Sequence, residues 1–311
     1  MNFDLTSLCW LLIGLLQGLI LIIIAPLMAG ISRQIKARMQ SRRGPGILQE
    51  YRDIIKLFTR QDVAPKNAGF IFRVMPFIVI GSMLSLATIL PIITVGSPLG
   101  SIADLIAIIY IFAIFRFFFS LSGLDSGSPF AGIGASRELM LGILVEPILM
   151  LALIVVAIIA GTTNVTQINL FFIEQWGGQA PTAAILALAA CAFAVFIEMG
   201  KIPFDYAEAE QELQEGPLTE YSGVSLALVK MGLSLKQIVI VSLFLAIFFP
   251  SPDVNIFFLL GLFLIKLFVV FVIACLIENS LCRGRFLLTS RVTWTGFGVS
   301  VLAYVFYLVS L

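Results

Sequence analysis

Apolar residues gather into eight long runs, at about 8–29, 71–95, 102–122, 138–160, 182–200, 222–250, 256–278 and 292–311. A helix needs about 20 such residues to cross the hydrocarbon of a bilayer, and each run comes near or above that length. Lys230 and Lys236 interrupt the sixth run, so residues 222–235 read as an interfacial stretch before a broken span. Between the first two runs the period changes. Ile47, Leu48, Tyr51, Ile54, Ile55 and Phe58 recur at helical spacing, with Arg52, Asp53, Lys56 and Arg60 between them. That pattern predicts an amphipathic helix lying at the membrane surface. Gly44-Pro45-Gly46 breaks the chain just before it. The connecting segments are too short for a second folded unit. The chain therefore reads as one all-α, polytopic transmembrane domain over residues 1–311, with its longer loops at about 30–70, 123–137, 201–221 and 279–291.

Composition agrees with this class. Hydrophobic residues make up 60% of the chain and charged residues 12%, against soluble norms of about 45–50% and about 25%. A soluble fold of this size could not bury so much apolar surface. The net charge of +1 is uninformative, but the placement of charge is not. Lys and Arg lie in the first loop (Arg33 to Arg73), the third (Arg137), the fifth (Lys201, with Lys230 and Lys236) and the seventh (Arg283, Arg285, Arg291). The second, fourth and sixth loops hold none. The positive-inside rule then makes the basic loops cytoplasmic and puts both termini on the periplasmic side of an inner membrane. Asp4, with no basic residue before the first run, argues against a cleaved signal peptide.

Histidine is absent, which excludes His-based triads, His-ligated haem and His-ligated zinc. Cys9, Cys191, Cys275 and Cys282 form no CxxC pair, so the chain alone offers no Fe–S or zinc site. No catalytic or metal-binding residue is expected.

The acids are the unusual residues. Glu138, Glu146, Glu198 and Glu278 sit at or inside apparent spans, where a charge costs roughly 2.5–3.5 kcal/mol. Glu138 and Glu146 are eight residues apart, about 12 Å along one helix, the first near the rim and the second toward the middle. Arg116 and Lys266 are the basic residues deep in spans, and are the natural partners of these acids. Glu198 precedes Lys201 by about one turn and reads equally as a local ion pair or a functional group. Asp205, Glu208, Glu210, Glu212, Glu215 and Glu220 crowd the fifth loop. On a helix Glu208, Glu212 and Glu215 would share a face and repel. Crowded or buried carboxylates have raised pKa values and can exchange protons near neutrality. A solvated loop and a capping role for Glu138 are the plain alternatives; the convergence of span acids on the acidic loop favours a proton path. For residues 41–65, lipid anchoring by Arg42 and Arg43 and docking of a cytoplasmic partner stand even.

Arg42-Arg43-Gly44-Pro45 before the amphipathic helix resembles the first cytoplasmic loop of the complex I subunit 1 family, which includes the membrane heel component of NADH:quinone oxidoreductase. Ser136-Arg137-Glu138, Pro203-Phe204-Asp205 and the acids through Glu220-Tyr221 match other motifs of that family. The segments 42–58, 123–149 and 196–223 look closer to its formate hydrogenlyase and hydrogenase-4 branch. Gly46, Glu50 to Asp53, Ala209 and Gln211 depart from the quinone-reducing branch where quinone would enter.

The resemblance implies an anchor and proton-coupling subunit of a membrane-bound [NiFe]-hydrogenase complex. It implies Fe–S clusters and a NiFe centre on partner subunits and no cofactor in this chain. The implied partners are hydrogenase large and small subunits, Fe–S subunits and antiporter-like membrane subunits, with no nucleic acid. Carried over by motif, Glu138, Glu198, Asp205, Glu208, Glu210, Glu212 and Glu220 form the proton path. Glu146 and Glu278 join it on burial grounds. Arg42, Arg43 and Arg52 would dock the cytoplasmic arm, and Arg137 and Lys201 would balance the acids. A quinone-reducing complex I component and a free-standing ion-coupled transporter are the alternatives; the chain shows no repeat symmetry of the kind transporters carry.

Overall fold

The structure is a computed structural model and describes residues 5–207, 210–252, 255–284 and 289–310. Those residues are all-α, and eight of their helices are long and apolar enough to span a membrane. The spans are α1 (Leu5–Met39), α3 (Phe70–Ile89), α4 (Leu105–Asp125), α5 (Pro129–Ala160), α7 (Pro181–Glu198), α9 (Gly223–Phe248), α10 (Ile256–Ser280) and α11 (Thr289–Ser310). Three shorter helices join them: α2 (Gln49–Phe58), α6 (Val165–Glu174) and α8 (Glu210–Leu213).

Local chemistry sets the boundaries. Pro129 and Pro181 open α5 and α7 at the first turn, where a missing N–H costs nothing. Gly161, at φ +69°, ends α5 in the left-handed conformation that glycine tolerates, and its N–H reaches the carbonyls of the last turn. Asn164 caps α6 by accepting from the Thr166 N–H at 2.9 Å. That helix was not expected from the apolar pattern. Two spans also exceed the expected bounds. α1 continues ten residues past 29, ending in Lys36 and Arg38, where cations suit the negative helix end. α5 begins nine residues before 138. The α1 extension ends in polar and basic residues from Ser32 on, which lower its hydropathy below that of a span.

α9 is the axis of the bundle. It packs on α1, α2, α3, α6, α7 and α10, and 78% of its most apolar stretch is buried within the protein, against 22% for α10 and α11. Residues 223–235 are the partly buried first turns of one continuous helix, with no break between them and the rest of the span. Lys236 is tolerated because it turns inward onto carboxylates. α5 is flanked by α4, α7 and α11.

The amphipathic helix forms as expected. α2 lies on α1 and α9, with Ile54 buried, the Tyr51 hydroxyl donating to the Ile23 carbonyl, and Glu50 paired with Arg33 at 2.6 Å. Asp125, at the end of α4, accepts the Phe72 N–H at 3.0 Å and so caps the start of α3. Consecutive spans alternate in direction, so the described loops that carry Lys and Arg share one end of the bundle, the basic end.

Candidate functional site

Four helices aim ionisable groups at one point inside the basic half of the bundle. Arg116 on α4 lies about nine residues, or about 14 Å, inside the end of its helix. Its guanidinium pairs with Glu146 and with Glu198, and its Nε is 3.6 Å from Glu138. Lys236 of α9 is 3.6 Å from Glu138 and 3.2 Å from Glu198, and its ammonium lies 5.2 Å from the centre of the Phe115 ring. Burial of charge in an apolar medium is tolerated only with pairing, and here three carboxylates share two cations. Close approach is built in at Gly142 on α5. A Cβ there would fall within 2.5–2.8 Å of the Arg116 side chain, so only glycine lets the arginine lie across the helix.

A cavity of about 70 Å³ leads from this cluster to the α7–α8 loop. Arg116, Glu138, Glu198 and Lys236 line its inner end, and Asp205 and Tyr206 its outer end. Arg283, after α10, holds Asp205 at 2.8 Å. A positive-φ turn just after α8 packs back on this loop. Gly216, at φ +51°, packs so tightly that a Cβ would meet the Ala207 carbonyl oxygen at 2.0 Å.

A second ionic group sits nearer the rim. Glu278 on α10 pairs with Lys36 of α1 at 2.9 Å and with Lys201 at 3.3 Å. Lys201 also donates to the Ser32 hydroxyl at 2.8 Å, and that hydroxyl meets the Cys275 sulfur at 2.7 Å. Glu278 therefore belongs to this group and not to the Arg116 cluster.

Several pairings differ from the sequence reading. Glu198 turns away from Lys201 to Arg116 and Lys236, because the chain leaves the helix at Gly200, φ +63°, before the lysine can face back. Among the described residues Lys266 pairs with no acid. It donates to the carbonyls of Phe249 and Pro250 at 2.7 and 3.4 Å and to the Ser251 hydroxyl at 2.9 Å, closing the exposed end of α9. Glu212 and Glu215 do not share a helical face, since α8 is one turn long and Glu215 lies beyond it at φ +71°. Each faces a cation: Glu212 is 2.8 Å from Arg137 and Glu215 is 3.9 Å from Lys230. The hydrogen bond and charge of Arg137 hold the Glu212 carboxyl below the usual carboxylate range, opposite to the upward shift expected from crowding.

Glu220 is partly exposed just before α9, and Glu210 begins α8. Glu208 lies outside the described residues. Arg42, Arg43 and Arg52 are exposed at the basic end. Lys236 and Lys36 are the members that sequence reasoning assigned to loops. A lysine inside an otherwise continuous apolar run was the available signal for Lys236. Among the described residues no group of His, Cys, Asp and Glu is arranged to hold a metal ion.

Residues 12–309 match the family model described as NADH dehydrogenase. The chain is 57% identical to hydrogenase-4 component C of Escherichia coli, over 96% of each chain. It is 53% identical to formate hydrogenlyase subunit 4 of the same organism, over 94% of this chain and 96% of the other. The corresponding NADH-quinone oxidoreductase component of Campylobacter curvus is 32% identical over 70% of this chain and 72% of its own. Among solved structures, a chain of the archaeal membrane-bound sulfane sulfur reductase, a respiratory membrane complex, superposes with a TM-score of 0.81. That match has 25% identity and covers 96% of this chain and 99% of the other.

Proposed function

The chain belongs to the NADH dehydrogenase family, the subunit 1 family of complex I, and from that membership we propose that it is the membrane anchor and proton-coupling subunit of a membrane-bound hydrogenase complex of the formate hydrogenlyase type. The basic end is its cytoplasmic face and both termini are periplasmic. Iron–sulfur and nickel chemistry resides on the hydrogenase large, small and Fe–S subunits docked at that face. Arg42, Arg43 and Arg52 contribute to their seat.

The cavity that joins Asp205 to Glu138 and Glu198 carries this reading. Its volume has room for several waters, at roughly 10–15 Å³ of accessible space each. A proton entering at the acidic loop can pass through it to carboxylates that lie inside the span. With three acids against two cations, the cluster keeps one net negative charge when every group is ionised. That charge attracts a proton without requiring any ion pair to break. Glu210, Glu212 and Glu220 stand at the approach. Glu146 supplies the exit: its side chain is 36% exposed on the flank of α5, and an ionised carboxylate cannot face hydrocarbon. An antiporter-like membrane subunit seated against that flank covers it.

The test uses the intact complex in sealed vesicles, with hydrogen evolution and proton movement followed together. Glu198→Gln and Glu138→Gln are expected to lower coupled proton movement at least tenfold while the complex still assembles. Full hydrogen evolution with full proton movement in both variants would leave only the anchoring role.

A further inference from the structure

Outside the ionic clusters, a large open space lies between α7, α9 and α10. It is a groove of about 470 Å³ walled by apolar side chains, among them Val195, Phe196, Met199, Val270, Ile273 and Ile277. Lys266 borders it but turns its ammonium onto the carbonyls at the end of α9, leaving its methylene stem toward the groove. On α10 the groove runs from Ile265 to Ile277, about 18 Å at the helical rise. Its lining comes almost entirely from membrane-spanning segments, so its occupant must be apolar.

Its lining suits the occupant. The walls are apolar along α7, α9 and α10, which fits an extended hydrocarbon chain laid along the groove. Charge selects the polar end. The groove opens at the basic end, where Met199 and Ile277 are followed by Lys201 and Glu278. There Lys36 and Lys201 share the one carboxylate of Glu278, a local excess of one positive charge, and the Lys36 side chain is 36% exposed.

We propose that this groove binds an anionic glycerophospholipid from the leaflet at the basic end, one acyl chain lying between α7 and α10 and the phosphate headgroup held near Lys36. The bound chain would fill the space that α10 leaves open, since α10 packs chiefly on α1 and α9.

The experiment measures phospholipid retained by the intact complex purified in mild detergent, after exchange into mixtures of phosphatidylglycerol and phosphatidylethanolamine. Wild type is expected to keep phosphatidylglycerol preferentially. Ile273→Trp, which fills the groove, is expected to lower retention about tenfold. Ala192→Leu narrows the same space with a smaller side chain and serves if the tryptophan variant fails to assemble. Lys36→Gln is expected to keep the lipid but lower the preference for the anionic headgroup about fivefold. Undiminished retention in the groove-filled variants overturns the proposal, as does a lack of headgroup preference in wild type. A partner's transmembrane helix found in the groove of the assembled complex overturns it as well.

Discussion

Arg116 is the residue on which the cluster turns. It is the cation that reaches Glu138, Glu146 and Glu198 together, through a planar fork of donors that lysine lacks. Arg116→Gln would leave Glu138 and Glu198 sharing Lys236 alone and remove the cation that pairs with Glu146. Removing one partner of a buried pair costs about 3–5 kcal/mol, so the variant should show sharply lower thermal stability and assembly. Arg116→Lys should restore part of the stability but not the geometry. An Arg116→Gln protein as stable as wild type would mean that the acids are already protonated. Glu212 behaves differently because it is more than half exposed. Its carboxyl is held low by Arg137 in the folded state. The stabilisation is therefore complete above the ordinary carboxylate range and is lost as the pH falls through the lowered value. The stability difference between wild type and Glu212→Gln should be small, present at neutral pH and gone in acid, as thermal melts across pH would reveal. Tyr221 is raised by burial; its hydroxyl donates to the Phe72 carbonyl at 2.8 Å and stays protonated throughout that range.

At the scale of the element, the helices hold the cluster because α4 and α5 approach closely at Gly142. Gly142→Ala is tolerable in an isolated helix and even favours it by about 1 kcal/mol. Here the added methyl would collide with the Arg116 side chain. Loss of proton coupling with the helix content retained is the expected result, read by circular dichroism beside vesicle proton uptake; unchanged coupling would show that the arginine has other room. Such contacts explain what the sequence could and could not reveal. The spans and the amphipathic α2 were legible because apolar period and run length are local properties. Arg116 and Glu198 were legible as charges where charge is costly. Their pairing was not, since it depends on which helices neighbour α9, and nothing in the spacing tells that Lys236 faces inward while Lys266 turns to a helix end. The short α6 was hidden because ten residues fall short of a span, and the long α1 because its last turns are polar and basic.

At the scale of the whole molecule, the two ends of the bundle are unlike. The basic end gathers the acidic loop, both ionic groups and an exposed arginine edge on and before α2. Tyr51 and the Arg33–Glu50 pair tie α2 to α1, and the Arg42 N–H donates to the Ala37 carbonyl at the end of α1 at 2.8 Å. A lipid anchor would need only charge there, whereas a docking seat needs charge at a fixed position, and α2 is fixed. Reversing Arg42 and Arg43 to glutamate separates the two roles. Both side chains are exposed, so insertion and fold should survive. Like charges brought together across an interface cost several kcal/mol, and about 2 kcal/mol already weakens binding roughly thirtyfold. If the proposed function holds, hydrogenase subunits should then appear in the soluble fraction while this chain stays in the membrane, as fractionation and immunoblotting would record. If the redox arm remains membrane-bound at high salt as well as low, these arginines serve the headgroups alone and the docking surface lies elsewhere on the basic end.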